Sequence, residues 1–360
     1  MLTLGVEEEY LLVDPATGLP CAAFDAVRAG VDAPAVQAEL LQAQIEVATP
    51  ICRSLDEVRT SLTEARRAVA ASARRRAKGV VASGTAPVSD GAPPPITRQP
   101  RYTAMRTDAA RLVDEQLICG MHVHVAMPER ETAVRVLNRL RPWLPLLVAL
   151  GGNSPLWRGQ DTGFASWRTV IFGRWPVTGI PPAFASAADY DARLDALHRA
   201  GVIRDRGQVY WLARISERYP TLEVRALDVQ LHVEDAQALA GAVRALVATA
   251  LLEEDGGRPA DPPPELLSGA LWHASRYGLG GQLVDPVRGE HRDAAAMVKD
   301  LLDHIGPALA ASGDHELVPS ALERLLHVGT GADRQRQALA AGRGRPAALI
   351  AYLSDQMDAQ

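Results

Sequence analysis

The stretch GVEEEY, residues 5–10, sets three consecutive carboxylates, Glu7, Glu8 and Glu9, between an apolar start (LTLGV) and an apolar finish (YLLV). Acidic triplets ordinarily lie on solvated surfaces. Residues 2–13, however, are rich in Leu and Val and end at the turn signal DPATG, so they read as a strand followed by a turn. Side chains on a strand alternate faces. Glu7 and Glu9 therefore share one face, and Val6, Glu8 and Tyr10 share the other. Two carboxylates on one face of an apolar strand repel each other and lose hydration unless something positive lies between them. A hard divalent cation such as Mg²⁺ or Mn²⁺ meets that need with oxygen ligands. The other reading of the stretch is an edge strand with a solvated acidic face. On the first reading Glu8→Gln is tolerated, whereas Glu7→Gln and Glu9→Gln are not.

Working outward, three further segments repeat the pattern. In LICGMHVHVAM (117–127), a strand, His122 and His124 share a face while Met121, Val123 and Val125 point away. HxH on a strand is a metal- or phosphate-contact arrangement, although two hydrogen-bonded histidines on a half-buried sheet would look the same. In TLEVRALD, Glu223 and Arg225 share a face of a strand otherwise filled by Leu222, Val224 and Ala226. They read as a cross-strand ion pair or as parts of a phosphoryl-transfer site, where carboxylates hold metal and Arg clamps phosphate oxygens with its planar fork. In AELLQAQIEVATP, Glu39 and Glu46 are seven apart and would share a face if the segment were helical, but IEVATP looks more like a strand.

The chain of 360 residues has 47% apolar and 22% charged residues and a formal net charge of -5, ordinary for a soluble globular protein with no global basic field for nucleic acid. Its three cysteines, Cys21, Cys52 and Cys119, are odd in number and widely spaced, so neither a disulfide framework nor a thiolate zinc site is expected. MLTLGVEEEY has no basic n-region or h-region, and the apolar run LPLLVAL (144–150) is too short to span a bilayer, so a cytoplasmic protein without membrane partners is expected.

SLDE after Arg53 is a capping box that starts a long Ala/Arg-rich helix. GVVASG (79–84) reads as a short strand, DGAPPPITRQPRYTAM as a surface loop, and residues 127–152 as a helix with proline kinks. VYWLARIS and TLEVRALDV form a strand pair around Tyr219-Pro220, and from Glu234 onward the pattern is mainly helical with a break at DPPP. There is no GxGxxG and no GxxxxGK[ST]. The expected fold class is α+β, a largely antiparallel sheet with helices packed outside it, in one domain over residues 1–360 whose part from about 234 is mainly helical.

Taken in order, GVEEEYLLVD, QIEVATPICRSLDEV, CGMHVHV and LEVRALD, with GNSPLWRGQDTGFASWR between the last two, resemble the carboxylate–amine ligase branch of the type 2 glutamate–cysteine ligases. The resemblance implies a glutamine-synthetase-like catalytic fold whose curved sheet forms the active-site cavity. It implies an ATP- and Mg²⁺-dependent (or Mn²⁺-dependent) ligase that activates a glutamate-like carboxylate as an acyl phosphate and passes it to an amino-acid-like amine. It also implies a homodimer. Carried over by position, it makes Glu7, Glu9, Glu46, His122, Glu223 and, less firmly matched, Glu39 metal ligands. His124 lies beside the nucleotide, and Arg225 is the phosphate clamp, acting with Glu223 in catalysis. Ser166 and Arg168 contact substrate or phosphate, and Tyr102 and Arg106 line the acceptor pocket. The Pro-rich loop at 91–100 stands where the family carries aromatics, which points to an acceptor other than cysteine. Two other readings accompany this one: a metal-dependent hydrolase or oxygenase built on HxH plus Glu, and a catalytically silent nucleotide-binding relative.

Overall fold

The computed structural model describes residues 1–31, 36–253 and 259–358. Its centre is a seven-stranded sheet of β1 (Leu4–Val13), β2 (Val36–Ala38), β3 (Gln44–Ala48), β4 (Gly79–Val81), β5 (Gly120–Ala126), β6 (Ala213–Ile215) and β7 (Thr221–Asp228). The strand order is β6-β7-β5-β1-β3-β2, with β4 also paired to β1, and every pairing is antiparallel. This is the expected α+β architecture, and the strands around GVEEEY, MHVHV and TLEVRALD lie side by side at its middle.

The outer face of the sheet carries Val6, Met121, Val123, Val125, Leu222 and Val224, all buried. Against it pack α1 (Leu55–Arg74), α3 (Arg130–Leu140), α4 (Leu144–Leu150) and α7 (Val233–Leu252), with α6 (Ala187–Arg199) on α3, while α2 (Pro100–Ala109) and α5 (Trp167–Phe172) stand on the inner side. Ser54 caps α1 by accepting from the Glu57 amide, which is half of the expected capping box; the Glu57 carboxylate accepts from the Arg53 amide, one residue before the cap, and not from that of Ser54. The helix α7 is long and apolar enough to cross a membrane, but it is the buried core helix, closed in on nearly all sides by α1, α3 and the helices that follow it. The C-terminal part is helical as expected and also contains a hairpin, Gln282–Asp285 with Glu290–Asp293.

Two expectations about this framework are corrected. RYTAM is not loop: Pro100 occupies the first turn of α2, where its missing amide donor costs nothing and its fixed φ suits the helix. Glu8 is not a tolerant position. It points into the outer-face core with no solvent exposure, paired in two-pronged fashion with Arg66 of α1: Arg66 Nη2 donates to Oε1 at 2.6 Å and Nε to Oε2 at 2.9 Å. The Tyr10 hydroxyl donates to the same Oε2 at 2.5 Å, and Arg66 also donates to the carbonyls of Gln230 and Leu231. Burial alone would lower the Arg66 pKa, but Glu8 and Tyr10 more than offset it and hold the guanidinium charged.

Candidate active site

The inner face of the sheet carries a row of polar side chains fixed by strand register. Gln37 opposes Glu46, which opposes Glu9; Glu7 opposes His122; His124 opposes Glu223, which opposes Arg214. Period-2 alternation therefore places acids and imidazoles from β1, β3, β5 and β7 on one face. The register shifts by one residue between Val224 and Leu227, a bulge at Arg225. The row is the floor of a cavity of ≈ 280 Å³, walled by α2, by the 168–175 segment and by the residues around 207–219. Glu39, just past β2, projects into the same cavity although its segment is strand and turn rather than the helix considered from its spacing.

Five acids, Glu7, Glu9, Glu39, Glu46 and Glu223, line this space, and their partners differ. Glu7 lies 3.2 Å from His122 Nδ1 and 3.5 Å from His124 Nε2. Burial would raise the Glu7 pKa, but these two imidazoles pull it well below the usual carboxylate range. Glu223 accepts from Arg214 Nε at 2.6 Å and from Arg225 Nη1. Burial is again overcome, by Arg225 and then Arg214, and its carboxyl is held well below its ordinary value. Glu9 accepts from the Gly120 amide at 2.7 Å. Glu39 and Glu46 behave oppositely. Burial pushes both up, and the neighbouring acids push them further, Glu39 to about 7. Arg225 acts against the rise at both positions without cancelling it.

The residues sort into two donor sets. Glu7, His124 and Glu223 offer ligand atoms within 4.8 Å of one another, and so do Glu9, Glu39 and Glu46. The second set is all oxygen, and burial together with the neighbouring acids drives Glu39 and Glu46 upward; a hard divalent cation is the group such a set fits. His122 Nε2 and His124 Nε2 are buried without a hydrogen-bond partner, as are Arg168 Nε and Arg225 Nε. Native interiors seldom leave so many polar atoms unsatisfied in one place. The donor chemistry and these orphaned atoms together fit a metal- and anion-binding role.

Of the other residues expected here, Arg168 lines the cavity, buried over the Phe172 ring at 5.5 Å, with Asp228 3.8 Å away and its Nη groups on the Arg225 carbonyl. A Cβ on Gly120 would meet this guanidinium, which would have to shift from its present position to admit it. Tyr102 also lines the cavity, its hydroxyl donating to the Ala38 carbonyl at 3.2 Å. Two expectations are corrected. Ser166 does not reach the cavity: it is buried at the N-cap of α5, accepting from Thr169 and donating to Asp228 at 2.9 Å. Arg106 lies outside the cavity, half exposed and paired with Asp114.

The sequence reading missed Arg214, whose place opposite Glu223 follows from the antiparallel register of the strand pair that the reading did identify. It also missed Thr221, 3.0 Å from His124 Nδ1, and the rim residues Arg218, Tyr219, Trp175 and Tyr210, for which no local pattern signals a shared cavity.

Comparison with known proteins places this geometry in context. A family model described as glutamate–cysteine ligase family 2 matches residues 3–352. A protein of Saccharopolyspora erythraea provisionally named glutamate–cysteine ligase 2-1 is 44% identical over 337 residues, covering 93% of this chain and 90% of its own. One of Frankia alni, provisionally named glutamate–cysteine ligase 2-2, is 44% identical over 361 residues, covering 95% and 94%. Among solved structures, a glutamate–cysteine ligase from Francisella tularensis in complex with AMP superposes with a TM-score of 0.70 at 13% identity over 99% of this chain and 92% of its own. A bifunctional glutathione synthetase from Pasteurella multocida gives 0.72 at 17% identity; the chain spans all of its own length and 52% of that protein. At these identities the structural matches establish the fold.

Proposed function

The chain belongs to glutamate–cysteine ligase family 2 and is a carboxylate–amine ligase of the ATP-using, γ-glutamyl type, and we propose that it works through an acyl phosphate with a divalent cation, Mg²⁺ or Mn²⁺, in the cavity on the inner face of its sheet. The observation that carries this reading is the pair of donor sets on adjacent strands with Arg225 against Glu223 and His122. A site that joins a carboxylate to a triphosphate must bring two anions together, and this one combines cation-ready acids with guanidinium groups.

In this mechanism a substrate carboxylate oxygen attacks the γ-phosphorus, and the bond to the β–γ bridging oxygen breaks with its electron pair on ADP. The amine nitrogen then attacks the acyl carbon, the C–O bond to phosphate breaks, and phosphate leaves with that pair while the nitrogen loses its proton to water. Glu7, His124 and Glu223, and separately Glu9, Glu39 and Glu46, are the residues that would hold cations, with His122 beside them. A bound cation supplies charge neutralisation between the two anions. Arg225 orients and neutralises phosphoryl oxygens, held in aim by Glu223. Arg214 fixes Glu223 from the other side. Arg168, whose Nε has no protein partner, is placed to take a substrate carboxylate or phosphate oxygen. The residues from about 234 onward pack into the same core as the sheet, and in this reading the chain acts as one catalytic domain.

The test is direct. Purified protein is incubated with ATP, Mg²⁺ and glutamate, a panel of amines is added, and ADP and phosphate are measured. Amine-dependent release of both in equal amounts is expected. Clean protein that releases neither with any acid–amine pair would sink the reading.

A further inference from the structure

Behind one wall of the carboxylate-lined cavity lies a second, larger one. Met105, Trp175 and Tyr210 line both: ≈ 280 Å³ on the sheet side and ≈ 840 Å³ on the other. The outer cavity is floored by Leu112, Pro176, Val202 and Ile203, and the paired Asp108 and Arg204 stand among its polar lining. Three observations make the shared wall a boundary a ligand can cross. Met105 is the only buried residue of α2, and its unbranched side chain repacks readily. That helix hangs between a Pro-rich segment and Ala110, which is held at φ +45, a conformation L residues rarely adopt. The Tyr210 hydroxyl is buried in the wall with no hydrogen-bond partner.

The inner cavity is at the small end for a ligand site, which typically runs about 300–1,000 Å³. It must already take the reacting ends of a triphosphate, an acid and an amine. The rest of the amine has to lie elsewhere, and the adjoining space is apolar on its floor.

Resting on the ligase reading above, we propose that the acceptor is an amine with an apolar arm longer than that of cysteine. Its amino group meets the activated acyl carbon in the inner cavity, and its arm passes the Met105–Trp175–Tyr210 wall to lie against Leu112, Val202 and Ile203. The Tyr210 hydroxyl bonds to a polar group where the arm begins. The bond changes are those of the amide-forming step already written.

The experiment measures amine-dependent ADP release with glutamate, ATP and Mg²⁺ for cysteine, glycine, straight-chain alkylamines of increasing length and arylalkyl amines. In the native protein kcat/KM is expected to rise with arm length to about tenfold or more above cysteine, the discrimination an apolar pocket of this kind supplies. Val202 is 43% exposed, so Val202→Arg should fold while placing a charge in the outer cavity. In that variant the ratio of long-arm to short-arm kcat/KM is expected to collapse toward one, and Val202→Ile should restore it. Native protein that uses cysteine or glycine as well as the long amines would overturn the inference and leave the ligase reading standing. A long-arm preference untouched by Val202→Arg would overturn the location. Absence of ADP release with every amine would remove the ligase reading and this inference with it.

Discussion

Glu8→Gln is expected to destabilise the fold by about 3–5 kcal/mol, the range for stripping one partner from a buried ion pair. Glu8 and Arg66 are both fully excluded from water, with N···O separations of 2.6 and 2.9 Å. The carboxylate accepts three hydrogen bonds, two from Arg66 and one from the Tyr10 hydroxyl. Bonds to a charged group contribute about 1.5–3 kcal/mol each, against about 1 for neutral ones. Glutamine keeps one acceptor oxygen: at the Oε2 position it retains the Arg66 Nε and Tyr10 contacts in weakened form, and at the Oε1 position only that of Arg66 Nη2. Its amide NH₂ then faces N–H or O–H donors, and the guanidinium keeps its charge without the Glu8 carboxylate opposite it, while the carbonyls of Gln230 and Leu231 still accept from it. The measurement is the urea midpoint of native protein, Glu8→Gln, Arg66→Met and the double variant. The double variant should lose less than the sum of the two single losses by about 1–3 kcal/mol, as expected for residues in direct contact. A Glu8→Gln midpoint equivalent to within about 0.5 kcal/mol of native, the range of ordinary surface substitutions, would refute the reasoning.

On the inner face the order of effects reverses. Glu46→Gln should leave the urea midpoint near native, Glu7→Gln should lower it because the ionised carboxylate that His122 and His124 favour is lost, and both should lower kcat by about a hundredfold or more, the scale seen when one electrostatic contact to the reacting groups is removed; equal activity would put the site elsewhere. Arg225→Lys keeps the charge but loses the planar fork, and should recover only a small part of the activity lost in Arg225→Ala, read as kcat with saturating ATP. Glu39 and Glu46 have folded pKa values raised above their unfolded ones, so their stabilising protons are fully present below about pH 4.5; that of Glu39 is lost as pH rises through about 7, and that of Glu46 as pH rises through its own raised value. The protein without divalent cation should therefore melt lower at pH 8 than at pH 6, and Mg²⁺ without nucleotide should raise the melting temperature more at pH 8 than at pH 6. A Mg²⁺ shift as large at pH 6 would count against the all-oxygen set as a cation site. Glu7 and Glu223 are shifted downward, and their contribution is lost only at acid pH, outside this window.

What the sequence disclosed depended on how local the cause was. Alternation along a strand is a property of adjacent residues, so the sharing of a face by Glu7 with Glu9, His122 with His124, and Glu223 with Arg225 could be read before any pairing was known. Register is not local. That Arg214 would stand opposite Glu223, or Gln37 beyond Glu46, depends on where two strands meet. Turn chemistry misled at α2: the same prolines that mark a loop also mark a helix start, and Pro100 is the second kind. Ser166 shows a related ambiguity. Its hydroxyl could meet a ligand or cap a helix, and the choice is made by Asp228, sixty-two residues away, which is buried and draws Ser154 and Ser166 together.

The three adjacent acids of GVEEEY make the point most sharply, because their chemistry is identical and their fates differ. A carboxylate on either face of this sheet is buried and needs a positive partner. On the outer face the chain supplies it, since α1 crosses there and Arg66 reaches Glu8. On the inner face it supplies less than is needed. Glu7 has two imidazoles, and Glu223 has two guanidinium groups. Glu9, Glu39 and Glu46 form a set of three carboxylates in which burial and the neighbouring acids drive Glu39 and Glu46 upward. A fold under selection for stability alone would replace those acids, since well-packed apolar residues at buried charged positions are often neutral or stabilising. Their presence in a cavity beside Arg225 and Arg168 is a standing deficit of positive charge that folding does not fill, and that a cation can.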